Sequence, residues 1–163
     1  MAPTTEDAYF KLRLALTFVA TSPGVPLIYY GDEYGQPGAD DPDNRRFMKW
    51  NGYSAFEQTT IDVTQKLGAA RVELPALRYG IRRTLWIDDN LYVYARVNGS
   101  DVAIIVINRD FGGGNTTAVP VPADLPLANG TILNDRLGGA PITVVNNTIP
   151  LNIAAHSSAV LAP

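Results

Sequence analysis

Carboxylates, a lone histidine and a cluster of aromatics are the side chains of this sequence with chemistry to offer. Asp32 and Glu33 are adjacent. Neighbours on a strand point to opposite faces, so this pair does not easily converge on one bond as an acid/base couple must. Asp40, Asp41, Asp43 and Asn44 crowd oxygen ligands into one short loop. That is the chemistry of a calcium site, but an exposed acidic turn satisfies the same pattern, and no metal is expected. Asp41 and Arg45 present a fixed acceptor and a fixed donor array to the hydroxyls of a neutral polyol, and Tyr34 and Trp50 supply aromatic faces for stacking. Alternatively, Asp41 and Arg45 pair with each other across the turn. His156 is the only histidine, which leaves no two-histidine metal site; a satisfied structural histidine in the last strand is expected. Gly112–Gly114 has no following helix to aim N–H groups at a phosphate and reads as a hairpin tip.

The bulk properties narrow the partners. The 163 residues are 46% hydrophobic and 18% charged, enough for a real core in one or two small domains. A net charge of -3 with no basic cluster removes the footprint of nucleic-acid binding. There is no cysteine, so disulfides and thiolate metal sites are excluded. No apolar run approaches the roughly 18 residues of a membrane span, and the first ten residues lack the basic and apolar regions of a secretory signal. Neither membrane insertion nor a signal peptide is expected, and location stays open. N-x-[S/T] triplets at Asn98, Asn115, Asn129 and Asn146 fit chance in an Asn- and Thr-rich chain.

At the N-terminal side, Thr4 and Thr5 before Glu6 and Asp7 predict a capped helix start. The helix runs to about Ala20, with Ala8, Leu12, Ala15, Leu16 and Val19 as its apolar face, widened by Leu14 and Phe18, and with Lys11 and Arg13 on the wetter side. Ser22-Pro23-Gly24 ends it, and the apolar run Val25–Tyr30 predicts a strand buried on both faces. Residues 31–62 have no clear period and read as a long loop; a second helix is predicted over Val63–Glu73. From Gly80 the texture becomes β-branched and alternating. Strands are predicted at Thr84–Ile87, Leu91–Val97, Val102–Asn108, Thr116–Val121, Thr131–Asn134, Ile142–Val145, Thr148–Ile153 and Ala159–Leu161, separated by turn formers such as Asn98-Gly99 and Asn146-Asn147. Tyr92 and Tyr94 share one strand face, read as packing against the helical part in preference to a sugar platform.

Three motifs stand in register: Gly24-Val25-Pro26, Tyr29-Tyr30-Gly31-Asp32-Glu33 and Asp41-Pro42-Asp43-Asn44-Arg45. Together they resemble the eighth barrel strand and following loop of the family 13 glycoside hydrolases, the α-amylase family. Arg78-Tyr79-Gly80, the run Leu85–Asp110, Leu133–Gly139 and the closing Ala154–Pro163 resemble the domain C that follows the barrel, most of all in cyclodextrin glucanotransferases and maltogenic amylases. The resemblance implies a mixed, mainly β fold: residues 1–78 an incomplete helix-strand-helix remnant of a (β/α)8 barrel with a sugar-contact loop at 31–50, and residues 79–163 an antiparallel β-sandwich.

The same resemblance implies α-1,4-glucan chemistry with retention, which needs two carboxyls about 5–5.5 Å apart. In the family these sit on earlier strands, and a barrel takes roughly 250 residues. The expectation is therefore a truncated α-amylase-family protein without catalytic residues, whose remaining role is binding an α-glucan oligosaccharide or polysaccharide, or purely structural. Asp41 and Arg45 would line the non-reducing end of the cleft, and Asp32 and Glu33 would be structural at the strand end, with Glu33 tying it to its surroundings. The alternative is a hydrolase or transglycosidase acting through recruited carboxylates or as one half of a split enzyme. No cofactor is expected, and the apolar faces of helix 5–20 and strand 25–30 predict a homo-oligomer.

Overall fold

The computed structural model describes residues 6–163; the predicted capping residues Thr4 and Thr5 lie outside them. Three helices precede eight strands: α1 (Glu6–Thr21), α2 (Ala55–Glu73), α3 (Pro75–Tyr79), then β1 (Ile81–Ile87), β2 (Leu91–Asn98), β3 (Asp101–Asn108), β4 (Asn115–Pro120), β5 (Ile132–Asp135), β6 (Ile142–Thr143), β7 (Thr148–Ile153) and β8 (Ser157–Ala162). Each predicted strand from Thr84 onward has its counterpart within a few residues. The fold is mainly antiparallel sheet, with a helical N-terminal part that does not close into a barrel.

The strands form a six-stranded sheet in the order β1-β2-β3-β8-β5-β6, faced by the two-stranded sheet β4-β7. Period-two alternation on β2 and β3 divides their side chains between two cores. Val93, Ala95, Ile104 and Val106 point between the sheets, onto Val119, Ile149 and Leu151. Tyr94, Ala103 and Ile105 point the other way, onto Leu16 and Ala20 of α1, Leu67 and Ala70 of α2 and Leu77 of α3. The central strands are thus buried on both faces, and the helices form a third layer.

Turn chemistry sets the register. Asn146 and Asn147 have φ of 51° and 56°, the left-handed pair that a tight hairpin demands, and the bridge Val145↔Thr148 closes it. Gly99, at φ 61°, turns the β2–β3 hairpin, in which Asn98 pairs with Asp101. Gly112–Gly114 is not a hairpin tip, because β4 pairs with β7 and not with β3. The segment crosses between sheets, and a Cβ on Gly114 would stand 2.9 Å from the Ile153 carbonyl oxygen.

Four further expectations need correction. Val25–Tyr30 is not a buried strand: it has no regular structure, and Val25 and Leu27 are 95% and 90% exposed. A strand buried on both faces needs neighbours to pair with, and none of the strands described adjoins this run. Helix α1 is rotated from its predicted face. Tyr9, Arg13, Leu16, Thr17, Ala20 and Thr21 are buried, whereas Ala8, Ala15, Phe18 and Val19 are exposed. Polar groups win that face because each finds a partner: Thr17 reaches Ser158 at 2.9 Å and Thr21 reaches the Tyr94 phenol at 2.6 Å. Helix α2 starts eight residues earlier than Val63, at Ala55, where the Ser54 hydroxyl and the Glu57 carboxylate form a reciprocal capping box. His156 lies in the turn before β8, at φ 49°, not in the strand.

Two arginines lock the C-terminal end of α1. Arg96, fully buried on β2, donates to the carbonyls of Thr21 and Gly80. Arg71 of α2 donates to the carbonyls of Ala20, Ser22 and Leu77, and also to that of Gly24. Helix C-termini leave carbonyls unpaired and carry partial negative charge, so guanidinium groups fit there without any carboxylate. This lock fixes where the chain leaves α1 and enters the loop.

Candidate functional site

Residues 31–50 form an irregular loop whose shape comes from a small polar frame. Gly31, at φ 96°, turns the chain. The Glu33 carboxylate accepts the Gly31 N–H at 2.7 Å, and the Asp32 carboxylate accepts the Tyr29 N–H at 3.2 Å. Both acids therefore hold backbone N–H groups of one turn, and Glu33 braces that turn in place of a strand end. Beyond them, the Tyr34 hydroxyl accepts the Lys49 N–H at 3.0 Å and donates to the Gln36 side chain, which in turn donates to the Arg46 carbonyl at 3.1 Å. One tyrosine thus staples both ends of the loop.

That role removes Tyr34 from the candidate sugar contacts. It is 1% exposed and packs against Tyr53 with ring centroids 5.3 Å apart, so it offers no free face. Trp50 is 78% exposed and does. Phe47 is 99% exposed on the same loop; nothing in the local pattern separated it from a core phenylalanine.

The acidic run resolves into two ion pairs. Asp41 meets Arg45, with Nε and Oδ1 2.9 Å apart, and both side chains remain more than half exposed. Asp43 takes Arg46 in a two-pronged contact, both bonds 2.7 Å, and the Arg46 guanidinium holds its carboxyl below the usual range. A short 3-10 turn over Asp43–Arg45 follows the cis peptide Asp41–Pro42. Asp41 and Asp43 each face an arginine instead of converging on one point, and among the described residues no three acidic or histidine side chains gather as metal ligands do. The sequence left two readings for Asp41 and Arg45, and the structure shows them paired. An exposed pair can still exchange its internal bonds for those of a ligand, since such pairs are worth only about 0–1 kcal/mol.

Behind the loop, Lys49 reaches back to Glu57, Nζ to Oε2 at 2.7 Å, and Tyr53 donates to the Lys49 carbonyl. The capping-box spacing Ser54-x-x-Glu57 was the sequence signal for this anchor. Arg71 and Arg96, which set the loop's point of departure, carry no local signature, because their partners are carbonyls distant in sequence.

No family model matches the chain. A cyclomaltodextrin glucanotransferase from Niallia circulans is 37% identical over 152 residues, 92% of this chain but 21% of the relative. A β/α-amylase from Paenibacillus polymyxa is 34% identical over 148 residues, covering 91% of this chain and 12% of the relative. The chain is related to the α-amylase family. Solved structures agree. An α-amylase from Geobacillus thermoleovorans, in complex with acarbose, superposes with a TM-score of 0.82 at 28% identity, covering 94% of this chain and 33% of that one. A γ-cyclodextrin glucanotransferase from alkalophilic Bacillus clarkii gives 0.79 at 29% identity, covering 95% and 23%. The chain therefore spans from about an eighth to a third of the length of these relatives. Among its described residues, loop 31–50 joins exposed donors, acceptors and an aromatic face on a braced frame.

Proposed function

We propose that loop 31–50 is a glucan-contact surface of an α-glucan-acting protein, and that residues 1–78 and 79–163 act as a barrel segment and a sandwich domain C that holds it. The observation that carries this reading is the exposed Asp41–Arg45 pair on the same loop as the uncovered Trp50 ring. Carboxylate and guanidinium satisfy vicinal hydroxyls, and an indole face covers the apolar face of a pyranose. Glucan-acting relatives support the ligand class. Asp32 and Glu33 are engaged by backbone N–H groups, so the bond-breaking carboxylates are assigned to other residues of the functional assembly.

Calorimetric or NMR titration with maltoheptaose tests this. Saturable binding in about the millimolar range is expected, abolished by Trp50→Ala and weakened by Asp41→Asn or Arg45→Gln. No response to maltoheptaose, or binding indifferent to all three changes, sinks the reading.

A second observation concerns assembly. Val25, Leu27 and Tyr29, with Phe18 on α1, are exposed apolar side chains within one short stretch of chain. Patches of this kind mark association surfaces, and self-association of the chain through residues 18–30 follows from them.

A further inference from the structure

Between the loop and α2, a short stretch of chain is held at its base and free at its crown. A single oxygen, Glu57 Oε2, accepts both the Lys49 ammonium at 2.7 Å and the Ser54 N–H at 2.6 Å. The Tyr34 hydroxyl accepts the Lys49 N–H, and Tyr53 donates to the Lys49 carbonyl. Residues 50–53 therefore form an arch with clamped ends. At its crown stand Asn51 and Gly52, both exposed. Among the described residues, no hydrogen bond holds the Asn51 side chain or the Gly52 N–H, and Gly52, at φ 68°, has open space around it.

Asparagine before glycine has a reaction of its own. With no side chain on the glycine, its nitrogen reaches the γ-carbon of the preceding asparagine more readily than that of any larger residue. The sequence has three such pairs, Asn51-Gly52, Asn98-Gly99 and Asn129-Gly130, and the fold treats them differently. The Gly130 N–H is committed to the Val144 carbonyl at 2.8 Å, and Asn129 Oδ1 accepts the Asn147 N–H at 2.7 Å; ring closure there breaks both bonds. Asn98 ends β2, in register with Asp101, and the extended backbone that pairing enforces turns the next nitrogen away from the side chain. Asn51 alone of the three has neither restraint.

We propose that Asn51 is a site of spontaneous covalent modification, at which the Gly52 nitrogen closes a succinimide that water opens to an aspartyl or isoaspartyl residue. The Gly52 amide gives its proton to water or hydroxide, its nitrogen bonds to Asn51 Cγ, and the Cγ–Nδ2 bond breaks with release of ammonia. Water then adds to either ring carbonyl, leaving the main chain on its original path or diverted through the side chain. Either product sets a carboxylate beside the exposed Trp50 indole. The isoaspartyl form also adds one main-chain carbon between the clamped ends, which displaces the indole. The effect on sugar contact rests on loop 31–50 being a glucan surface; the reaction does not.

Peptide mapping tests this on the chain aged in mildly alkaline buffer, folded and in urea, with isoaspartate methyltransferase labelling the isoaspartyl product. Each site's folded rate is divided by its own rate in urea. Asn51 is expected to keep most of its unfolded rate. Asn129 should slow at least about fivefold, the worth of one lost hydrogen bond, and Asn98 should also fall behind. Mildly acidic buffer should slow the reaction, and Asn51→Gln should abolish the early product. The modified chain, separated by charge, should bind maltoheptaose about fivefold or more weakly than the fresh chain. A rate ratio for Asn51 no higher than those of Asn98 and Asn129 overturns the proposal, as does an early product that survives Asn51→Gln. Unchanged affinity after full conversion overturns the effect on the arch. If the fresh chain binds no maltoheptaose while Asn51 still leads, the loop reading alone has failed.

Discussion

The hydroxyl of Thr21, on the last turn of α1, lies 2.6 Å from the phenol oxygen of Tyr94 on β2. Thr21 also donates to the Thr17 carbonyl at 2.6 Å, so Tyr94 is the donor to Thr21. This buried relay joins the helical layer to the centre of the six-stranded sheet. Tyr94→Phe removes one bond and leaves Thr21 partnered, a loss of about 1 kcal/mol by urea denaturation at pH 7. Burial also raises the Tyr94 phenol above its ordinary 10.0, against the opposing bond to Thr21. A raised folded-state value stabilises fully below pH about 10 and fades as pH climbs through it. The wild type should therefore lose stability steeply above pH about 10, and the Phe variant less steeply.

Glu57 makes the opposite prediction. Burial pushes its carboxyl up, but hydrogen bonds from Lys49 and Ser54 outweigh burial and hold it below its ordinary 4.5. Stability linked to this group is present above pH about 4.5 and lost as pH falls through the folded value. Glu57→Gln is expected to cost about 1–2 kcal/mol at pH 7 and to flatten the acid side of the stability profile. Equal slopes for both proteins between pH 6 and 3 would contradict the assignment.

Arg96 is buried without a carboxylate and holds the Thr21 and Gly80 carbonyls. Arg96→Met leaves those acceptors unpartnered in the interior, at a cost of about 2–4 kcal/mol. Arg96→Lys should recover little of it, because an ammonium cannot reproduce the fork that bonds Gly80 through two nitrogens. A lysine variant as stable as wild type in urea would show that charge alone suffices.

Self-association through residues 18–30 predicts a concentration-dependent mass by light scattering. Val25→Ser with Leu27→Ser should shift the chain toward monomer without lowering its melting temperature, since neither side chain is buried. A monodisperse monomer of the unaltered chain at micromolar concentration would refute it.

The β-region was legible because each strand carries its own evidence: alternation on Leu91–Val97, a turn pair at Asn98-Gly99 or Asn146-Asn147, and a partner close by in sequence. Pairings between distant strands, such as β4 with β7, had no such local sign. Segment 25–30 misled for a physical reason. Its apolar run encodes a demand for neighbours, and sequence cannot say whether neighbours arrive. The face of α1 was misread because hydrophobicity alone was used to orient it, while Arg13, Thr17 and Thr21 are buried through specific partners on α2, β8 and β2. Residue type and motif singled out Asp41, Arg45 and Trp50, whose side chains the fold leaves exposed. The burial of Tyr34 was not, because a tyrosine that staples a loop and one that stacks on a sugar are the same letter.

Strand β8 occupies the middle of the six-stranded sheet, between β3 and β5, and also receives Thr17 of α1 through Ser158. During synthesis, residues 157–162 leave the ribosome after every element they hold together. Until then β3 has one bare edge and Thr17 of α1 lacks its bond to Ser158, and exposed strand edges of this kind are where nascent chains misassemble. A late-made strand is therefore the keystone for a helix made some 140 residues earlier, and slowing translation ahead of it would prolong the interval in which the chain most needs a chaperone.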